Sequence, residues 1–223
     1  MIITKLKPLE EILQYIESHD KILVLGCSEC THKSATDVEK EVKKVVEEIK
    51  REREKTGKFV EVLEKTLPKQ CEPQYIKLLE EIKDKVDAII SLACGVGVNL
   101  IADFYPKMEV YPGVNTLFLG AKIKEGYWVE KCRACGDCII GYTAGLCPIT
   151  RCPKNMLNGP CGGAKNGICE VRKNLPCVWQ QIIRRLKNRG KLERLMKIWE
   201  AKDWRSAGGE GVRELREELK VGN

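Results

Sequence analysis

Short apolar runs alternate with amphipathic stretches in the first half of the chain. The runs KILVLG (21–26), FVEVL (59–63) and AIISLA (88–93) predict three strands. Between the first two, apolar residues recur every three or four positions among charged ones: Val38, Val42, Val45, Val46 and Ile49. A second helix is expected after Cys71-Glu72-Pro73, with Ile76, Leu79 and Ile82 on one face. This alternation of strands and helices is typical of a parallel sheet with right-handed crossovers.

The predicted fold class is therefore α/β, with a small parallel-sheet domain of the Rossmann or flavodoxin-like type at the N-terminus. The segment GVNLIADFYP predicts a short helix, and 109–120 predicts one or two further strand-like pieces. Composition changes near Gly120 to Gly126, where we place a boundary. We expect an α/β domain at 1–121, a loop-rich, cysteine-dense module at 122–178, and C-terminal helices with a mobile tail at 179–223.

The C-terminal pattern has two interpretations. Apolar residues from Val178 to Leu186 share one side of a helix, Gly190 interrupts it, and Leu192 to Trp199 continue the spacing. The opposite side is basic. The helix either docks on an acidic partner or packs on the core with a solvated basic face.

Composition and charge exclude several classes of protein. The chain has 223 residues, is 43% hydrophobic and 6% aromatic, and carries a net charge of +7 with the two signs mixed along its length. It can bury a core, but it lacks the aromatic content of a stacking platform for nucleic acid. The N-terminus shows no secretory h-region, and no apolar run approaches the roughly 20 residues that a membrane span requires. We expect a cytoplasmic protein that is not inserted in a membrane.

Twelve cysteines are the main chemical signal. The cytosol keeps thiols reduced, and thiolates are the ligands of soft metals and iron–sulfur clusters, so metal centres are favoured over disulfides or apolar core cysteines. At four ligands per centre, twelve thiols could fill three centres. The candidate ligands are Cys27, Cys30, Cys71, Cys94, Cys132, Cys135, Cys138, Cys147, Cys152, Cys161, Cys169 and Cys177.

The first four cysteines follow predicted strands. Because the carboxyl ends of parallel strands lie on one edge of a sheet, Cys27, Cys30, Cys71 and Cys94 can converge there. Their centre could be a cluster or zinc. Neither GCSEC nor CGVG fits a phosphate-binding loop. A thioredoxin-type redox pair at Cys27 and Cys30 is the alternative, and His32 is not included among the ligands.

The other eight cysteines fit two 4Fe–4S clusters. Cys132, Cys135 and Cys138 stand at three-residue intervals, as around a cubane in bacterial-type ferredoxins. Cys147 and Cys152 each precede a proline, a pairing common at such clusters. A zinc ribbon would need a second Cys-x-x-Cys pair about 15–20 residues from the first, and this half has no pair at that separation. One partition assigns Cys132, Cys135 and Cys138 to one cluster and most of the others to the second, and the sequence leaves open which cysteine completes which cluster. Several clusters in one chain are typical of an electron conduit, and no catalytic Ser/His/Asp arrangement competes with that interpretation.

The segments CRACGDC and GLCPITRCPKNMLNGPCGGAKNGICEV, with PCVW and a basic helix, resemble the methylenetetrahydrofolate reductase C-terminal-like family. GCSEC, Cys71-Glu72-Pro73-Gln74 and ACGVGV also look like that family, in particular the small cysteine-rich subunits of two-subunit enzymes from acetogens and related anaerobes. The resemblance extends to about Trp204.

The resemblance implies an iron–sulfur or zinc subunit that passes electrons to a flavin-containing catalytic partner. It implies one site at Cys27, Cys30, Cys71 and Cys94, and further sites among Cys132 to Cys177. The flavin is expected on the partner, a ferredoxin or another redox donor could supply the electrons, and no turnover is expected from this chain alone. A zinc-binding scaffold without a redox role and a free-standing ferredoxin-like carrier remain the alternatives.

Overall fold

A computed structural model describes residues 1–30 and 35–207. The chain forms two compact units, Met1–Val129 and Glu130–Asn223, here called unit 1 and unit 2. The domain boundaries expected from composition stay a prediction. His32 and the tail expected to be mobile after residue 207 lie outside the described residues.

The strands are β1 (Ile2–Leu6), β2 (Lys21–Cys27), β3 (Glu61–Leu67), β4 (Ala88–Ser91), β5 (Glu109–Pro112), β6 (Val114–Lys124) and β7 (Tyr127–Cys132). The α-helices are α1 (Leu9–Tyr15), α2 (Ala35–Lys55), α3 (Pro73–Ile76), α4 (Gly95–Phe104), α5 (Pro148–Arg151) and α6 (Val178–Asn188). Short 3₁₀ turns cover Lys77–Leu79, Lys83–Lys85, Leu192–Met196 and Trp204–Ala207.

Unit 1 contains the predicted parallel sheet, with strand order β3-β2-β4-β5. The α/β fold class is thus confirmed. The second predicted strand corresponds to β3 and begins two residues later than the apolar pattern predicts. Pairing with β2 starts only at Glu61, which lies opposite Lys21 at the start of β2. Phe59 precedes the strand and remains 81% exposed.

Alternate residues of β2 face two different cores. Ile22 and Val24 pack with α1 and α2 on one side of the sheet, in a cluster of buried residues that includes Val42. Leu23 and Leu25 pack on the other side with residues of α3 and α4. Because both faces are covered by helices, β2 is buried and without charged side chains from Ile22 to its end, as expected for a parallel sheet.

The predicted second helix is only partly correct. Ile76 and Leu79 are buried on one face as predicted. The α-helix α3 nevertheless ends at Ile76, and two 3₁₀ turns continue the segment. The predicted short helix after Cys94 and the strands within 109–120 are confirmed as α4, β5 and β6.

A second, antiparallel sheet was not predicted. It has the order β1-β6-β7, and β1 pairs with β6 from Ile2↔Leu119 to Leu6↔Val114. The first strand, IITKL, places polar residues among apolar ones, so its pattern is too short and mixed to stand out.

The main cluster of buried residues in unit 2 is small, and α6 contributes Val178, Trp179, Ile182 and Leu186 to it. The apolar side of this helix therefore packs on the core of unit 2. The predicted continuation beyond Gly190 is wrong as an α-helix, since Gly190 has a φ of 62° and residues Leu192–Met196 form a 3₁₀ turn. Among the described residues, no helix combines the length and apolarity needed to cross a bilayer.

Candidate metal centres

The crevice at the carboxyl edge of the parallel sheet places two cysteine-bearing loops side by side. β2 ends at Cys27, and its neighbour β4 ends at Ser91, three residues before Cys94. The helices that follow these two strands, α2 and α4, pack on opposite faces of the sheet. This is the topological switch point, where open α/β sheets bind their ligands.

Gln70 joins the loops around this crevice. Its side chain is fully buried, and its Nε2 donates to the carbonyl oxygens of Leu25 at 3.0 Å and Gly26 at 2.9 Å. Its Oε1 accepts a 2.6 Å hydrogen bond from the Ser91 hydroxyl. Because Gln70 directly precedes Cys71, this network fixes the Cys71 loop against the ends of both central strands.

The Cys27–Cys30 loop is bonded to the end of β3. The Ser28 amide donates to Leu67 O at 3.1 Å, and the Glu29 amide donates to Pro68 O at 2.9 Å. The ammonium of Lys69 pairs with Glu72 at 2.7 Å and with Glu29 at 3.5 Å. One cation thus bridges the residues that adjoin Cys30 and Cys71.

The antiparallel sheet supports two of the same loops. The Ile2 amide in β1 donates to Cys30 O at 3.2 Å, and the Gly95 amide donates to the Thr116 hydroxyl of β6 at 2.9 Å. The antiparallel sheet, which the sequence pattern did not predict, therefore helps to position the loops that carry Cys30 and Cys94.

The four thiols of unit 1 lie near enough to act on one another electrostatically. The pKa of the Cys27 thiol is raised to about 11, mainly by burial and to a smaller extent by the nearby thiols of Cys94, Cys71 and Cys30. The backbone amide of Gln70 opposes that effect by a hydrogen bond to the Cys27 sulfur. Burial likewise raises the pKa of Cys71, with contributions from Cys94 and Cys30.

These four residues fit a thiolate-bound metal centre by their chemistry. A metal ligand must be a thiolate, and metal binding displaces the thiol protons that burial otherwise retains. The amide hydrogen bond to Cys27 favours the deprotonated sulfur. Within residues 1–30 and 35–207, however, no three His, Cys, Asp or Glu side chains are already grouped as ligands of one ion. The assignment of these cysteines as ligands stays a prediction.

In unit 2, the segment from Cys132 to Cys138 is a tight loop after β7. Ala134 and Gly136 adopt left-handed φ angles of 50° and 82°. The turn directs the Ala134 amide at the Cys132 sulfur, 3.3 Å away. An amide directed at the sulfur in this way favours its anionic form.

The eight cysteines of unit 2 fall into two groups. Cys152, Cys161, Cys169 and Cys177 line one pocket, whereas Cys132, Cys135, Cys138 and Cys147 are not part of its lining. All twelve cysteines belong to the described part of the chain, and none of them forms a disulfide.

Sequence reasoning missed the residues that position these thiols. Gln70 and Ser91 are single polar residues next to strand ends, and no spacing marks them as a pair. Trp179 was assigned to the core, but its indole Nε1 also donates to Met156 O at 3.0 Å, and its ring lies against Gly159. The segment NGPCGG (158–163) is conspicuous in the sequence, but only the structure shows that its Gly159 packs against the Trp179 ring.

The family model described as the C terminal of methylene-tetrahydrofolate reductase matches residues 111–205. This part of the chain is related to that family. The match covers somewhat less than half of the 223 residues and includes all eight cysteines from Cys132 to Cys177, but not the four of the parallel sheet. No curated protein and no solved structure matches the chain.

Proposed function

We propose that this chain is an iron–sulfur electron-transfer and assembly subunit of a methylenetetrahydrofolate reductase complex in the cytoplasm. It passes electrons to a flavin-carrying catalytic partner that makes 5-methyl-tetrahydrofolate. The observation that carries the proposal is the family match over 111–205, which contains the eight cysteines of unit 2.

The donor set supports metal binding over other roles for this segment. Eight thiols within about 50 residues of loops and turns with one four-residue helix are far more than a small core needs as packing residues. The amide hydrogen bond to Cys132 and the left-handed turns around it favour anionic sulfur. A bound cluster accepts and releases single electrons, whereas reduction of a methylene group needs the hydride chemistry of a flavin.

Unit 1 adds a further candidate centre at the switch point of its sheet. Its residues would hold Cys27, Cys30, Cys71 and Cys94 in one crevice through the Gln70 network and the hydrogen bonds to β1 and β6. This centre would be a third cluster or a zinc ion. The role of the chain's own residues is to hold the thiolates, exclude water from Cys27 and present the centres to the partner.

The test is anaerobic isolation of the full chain, with quantitation of iron, zinc and acid-labile sulfide and EPR of the dithionite-reduced protein. We expect at least two cubane clusters, and turnover of methylene-tetrahydrofolate only after the flavin-containing subunit is added. A matched control is the partner alone with the same electron donor.

Two results would contradict the proposal. Stoichiometric zinc without sulfide would make the chain a structural scaffold, because zinc does not change valence. Turnover of methylene-tetrahydrofolate by the isolated chain would show a catalytic protein instead of an electron-transfer subunit.

A further inference from the structure

The loops of unit 2 assemble four of its eight cysteines, and the assembly begins with α5 and α6. Cys152 follows α5 directly, is 8% exposed and belongs to the buried cluster of unit 2. Cys177 is the residue before α6 and packs on the same cluster. The core of unit 2 thus positions two cysteines that are 25 positions apart in the sequence.

A folded loop places Cys169 beside this pair. Ile168 forms antiparallel bridges with Lys165 and with Pro176. The Cys169 amide donates to Leu175 O, and the Cys177 amide donates to Gly167 O, each at 2.8 Å. Asn166 and Gly167, with left-handed φ angles of 50° and 83°, make the tight turn that this arrangement requires.

Trp179 positions the loop that carries Cys161. A Cβ at Gly159 would lie 2.3 Å from the indole ring, so the chain passes the ring where only glycine fits. At the other end of the loop, the Cys161 sulfur lies 3.9 Å from Oε1 of Glu170, which also pairs with Lys154. These contacts fix Cys161 from both sides.

The result is a pocket lined by all four thiols. Its wall also includes Arg151, Lys154 and Glu170, and Lys154 pairs with Glu170. The charge of Arg151 lowers the electrostatic cost of the negative charge that a metal centre with four thiolates carries, whereas Glu170 offsets the charge of Lys154. The N-terminus of α6, an 11-residue helix, adds its positive dipole end next to Cys177.

We infer that Cys152, Cys161, Cys169 and Cys177 together hold one metal centre, and that Cys132, Cys135, Cys138 and Cys147 hold a separate one. The inference rests on the proposed function and adds the division of ligands, which the spacing of the cysteines left open. The chemistry of the pocket is that of a four-thiolate centre, and metal analysis tells whether a cubane or a zinc ion occupies it.

Alanine variants of exposed or half-buried cysteines test the division without touching the core. The variants are Cys161→Ala, Cys169→Ala and Cys138→Ala, singly and in pairs, in the full chain isolated anaerobically. Cys161→Ala and Cys169→Ala should each remove the same complement of metal and sulfide, and the pair should remove no more. Cys138→Ala combined with Cys161→Ala should remove the sum of the two single losses, with the EPR signals changing in the same way.

A second measurement uses the native protein, so that the division of ligands can be tested even if the variants fail to fold. During stepwise removal of metal from the native protein by a chelator, alkylation followed by mass spectrometry should show Cys152, Cys161, Cys169 and Cys177 becoming reactive together. Cys132, Cys135, Cys138 and Cys147 should react in a different step.

The outcomes separate the two claims. If Cys161→Ala and Cys138→Ala remove the same centre, or if the two groups of thiols react in mixed order, the division of ligands is wrong while the metal-binding function stands. If the native chain contains neither metal nor sulfide, the proposed function fails with it.

Discussion

In unit 1 the candidate ligands follow strands of a sheet whose core forms without them, whereas in unit 2 they sit on loops that have little core beneath them. Two clusters of 15 and 8 buried residues flank the parallel sheet, while the main cluster of unit 2 has 7, of which one is Cys152 itself. A small core gives little stability, so natural domains of this kind rely on metals or disulfides. The comparison teaches that a metal centre would be an addition to unit 1 but part of the fold of unit 2.

Removal of the metal should give the largest difference between the units. Chelation under anaerobic conditions is expected to reduce the hydrogen-exchange protection of α6 by on the order of tenfold or more, because binding free energy is folding free energy at such sites. Protection of β2 should change little. Hydrogen exchange with mass spectrometry measures both in one sample, and untreated protein is the control. An equal loss in both units would remove the distinction.

Disruption of the Gln70 hydrogen-bond network should have the next largest effect, on the stability of unit 1. Gln70→Ala leaves the Leu25 and Gly26 carbonyls and the Ser91 hydroxyl without their buried partner, which should lower the free energy of unfolding of unit 1 by about 3 kcal/mol. Alkylation of Cys27 in the metal-free protein should also become faster. Gln74→Ala is the matched control, since Gln74 is exposed and bonds only to Glu72 among the described contacts. Equal unfolding curves for the two variants would show that the network contributes nothing.

Disruption of the contact between Gly159 and Trp179 should lower the stability of unit 2 alone. Gly159→Ala places a methyl group against a rigid ring and should cost about 2 kcal/mol. Urea unfolding followed by tryptophan fluorescence measures the change, since three of the four tryptophans belong to unit 2. Gly141→Ala, where a Cβ meets open space, is the control. The packing argument is wrong if the two variants unfold alike.

The smallest effect is expected at the start of α4. A Cβ at Gly97 would lie 2.8 Å from the Gln70 Cβ and 2.9 Å from the Ala93 Cβ, so Gly97→Ala must displace the helix and should cost about 1–2 kcal/mol. Gly95→Ala, in the same helix, meets only the Thr116 hydroxyl at an ordinary 3.8 Å. Its stability should stay the same or rise slightly, because alanine favours helix. Denaturant unfolding that orders the two variants the other way would contradict this account.

The sequence was most informative where one physical rule determines the pattern. The continuous apolar run of β2 predicts a strand buried on both faces, and the three- and four-residue spacing in α2 predicts a helix with one buried face. Both are correct. The strand β1 was missed because its five residues obey no clear period, and its pairing with β6 joins residues more than 100 positions apart.

The candidate sites show the same limit. Cysteine spacing indicates which residues are candidate ligands, since ligand chemistry is a property of the side chain. It does not show which thiols share a centre, because that depends on turns such as Asn166-Gly167 and on a ring contact such as Trp179 with Gly159. The role of Gln70 was equally hidden, since a buried amide has no sequence signature until its partners are known.

The order β3-β2-β4-β5 leaves two strands at the borders of the parallel sheet, and each carries a residue that opposes association with another chain. On β3, Glu61 and Glu64 are exposed charges, and β5 ends with Pro112, which has no amide hydrogen to offer. Glu61, which makes the run FVEVL less apolar than the other two strand runs, thus has a physical use, because its charge discourages the pairing of β3 with an edge strand of another copy.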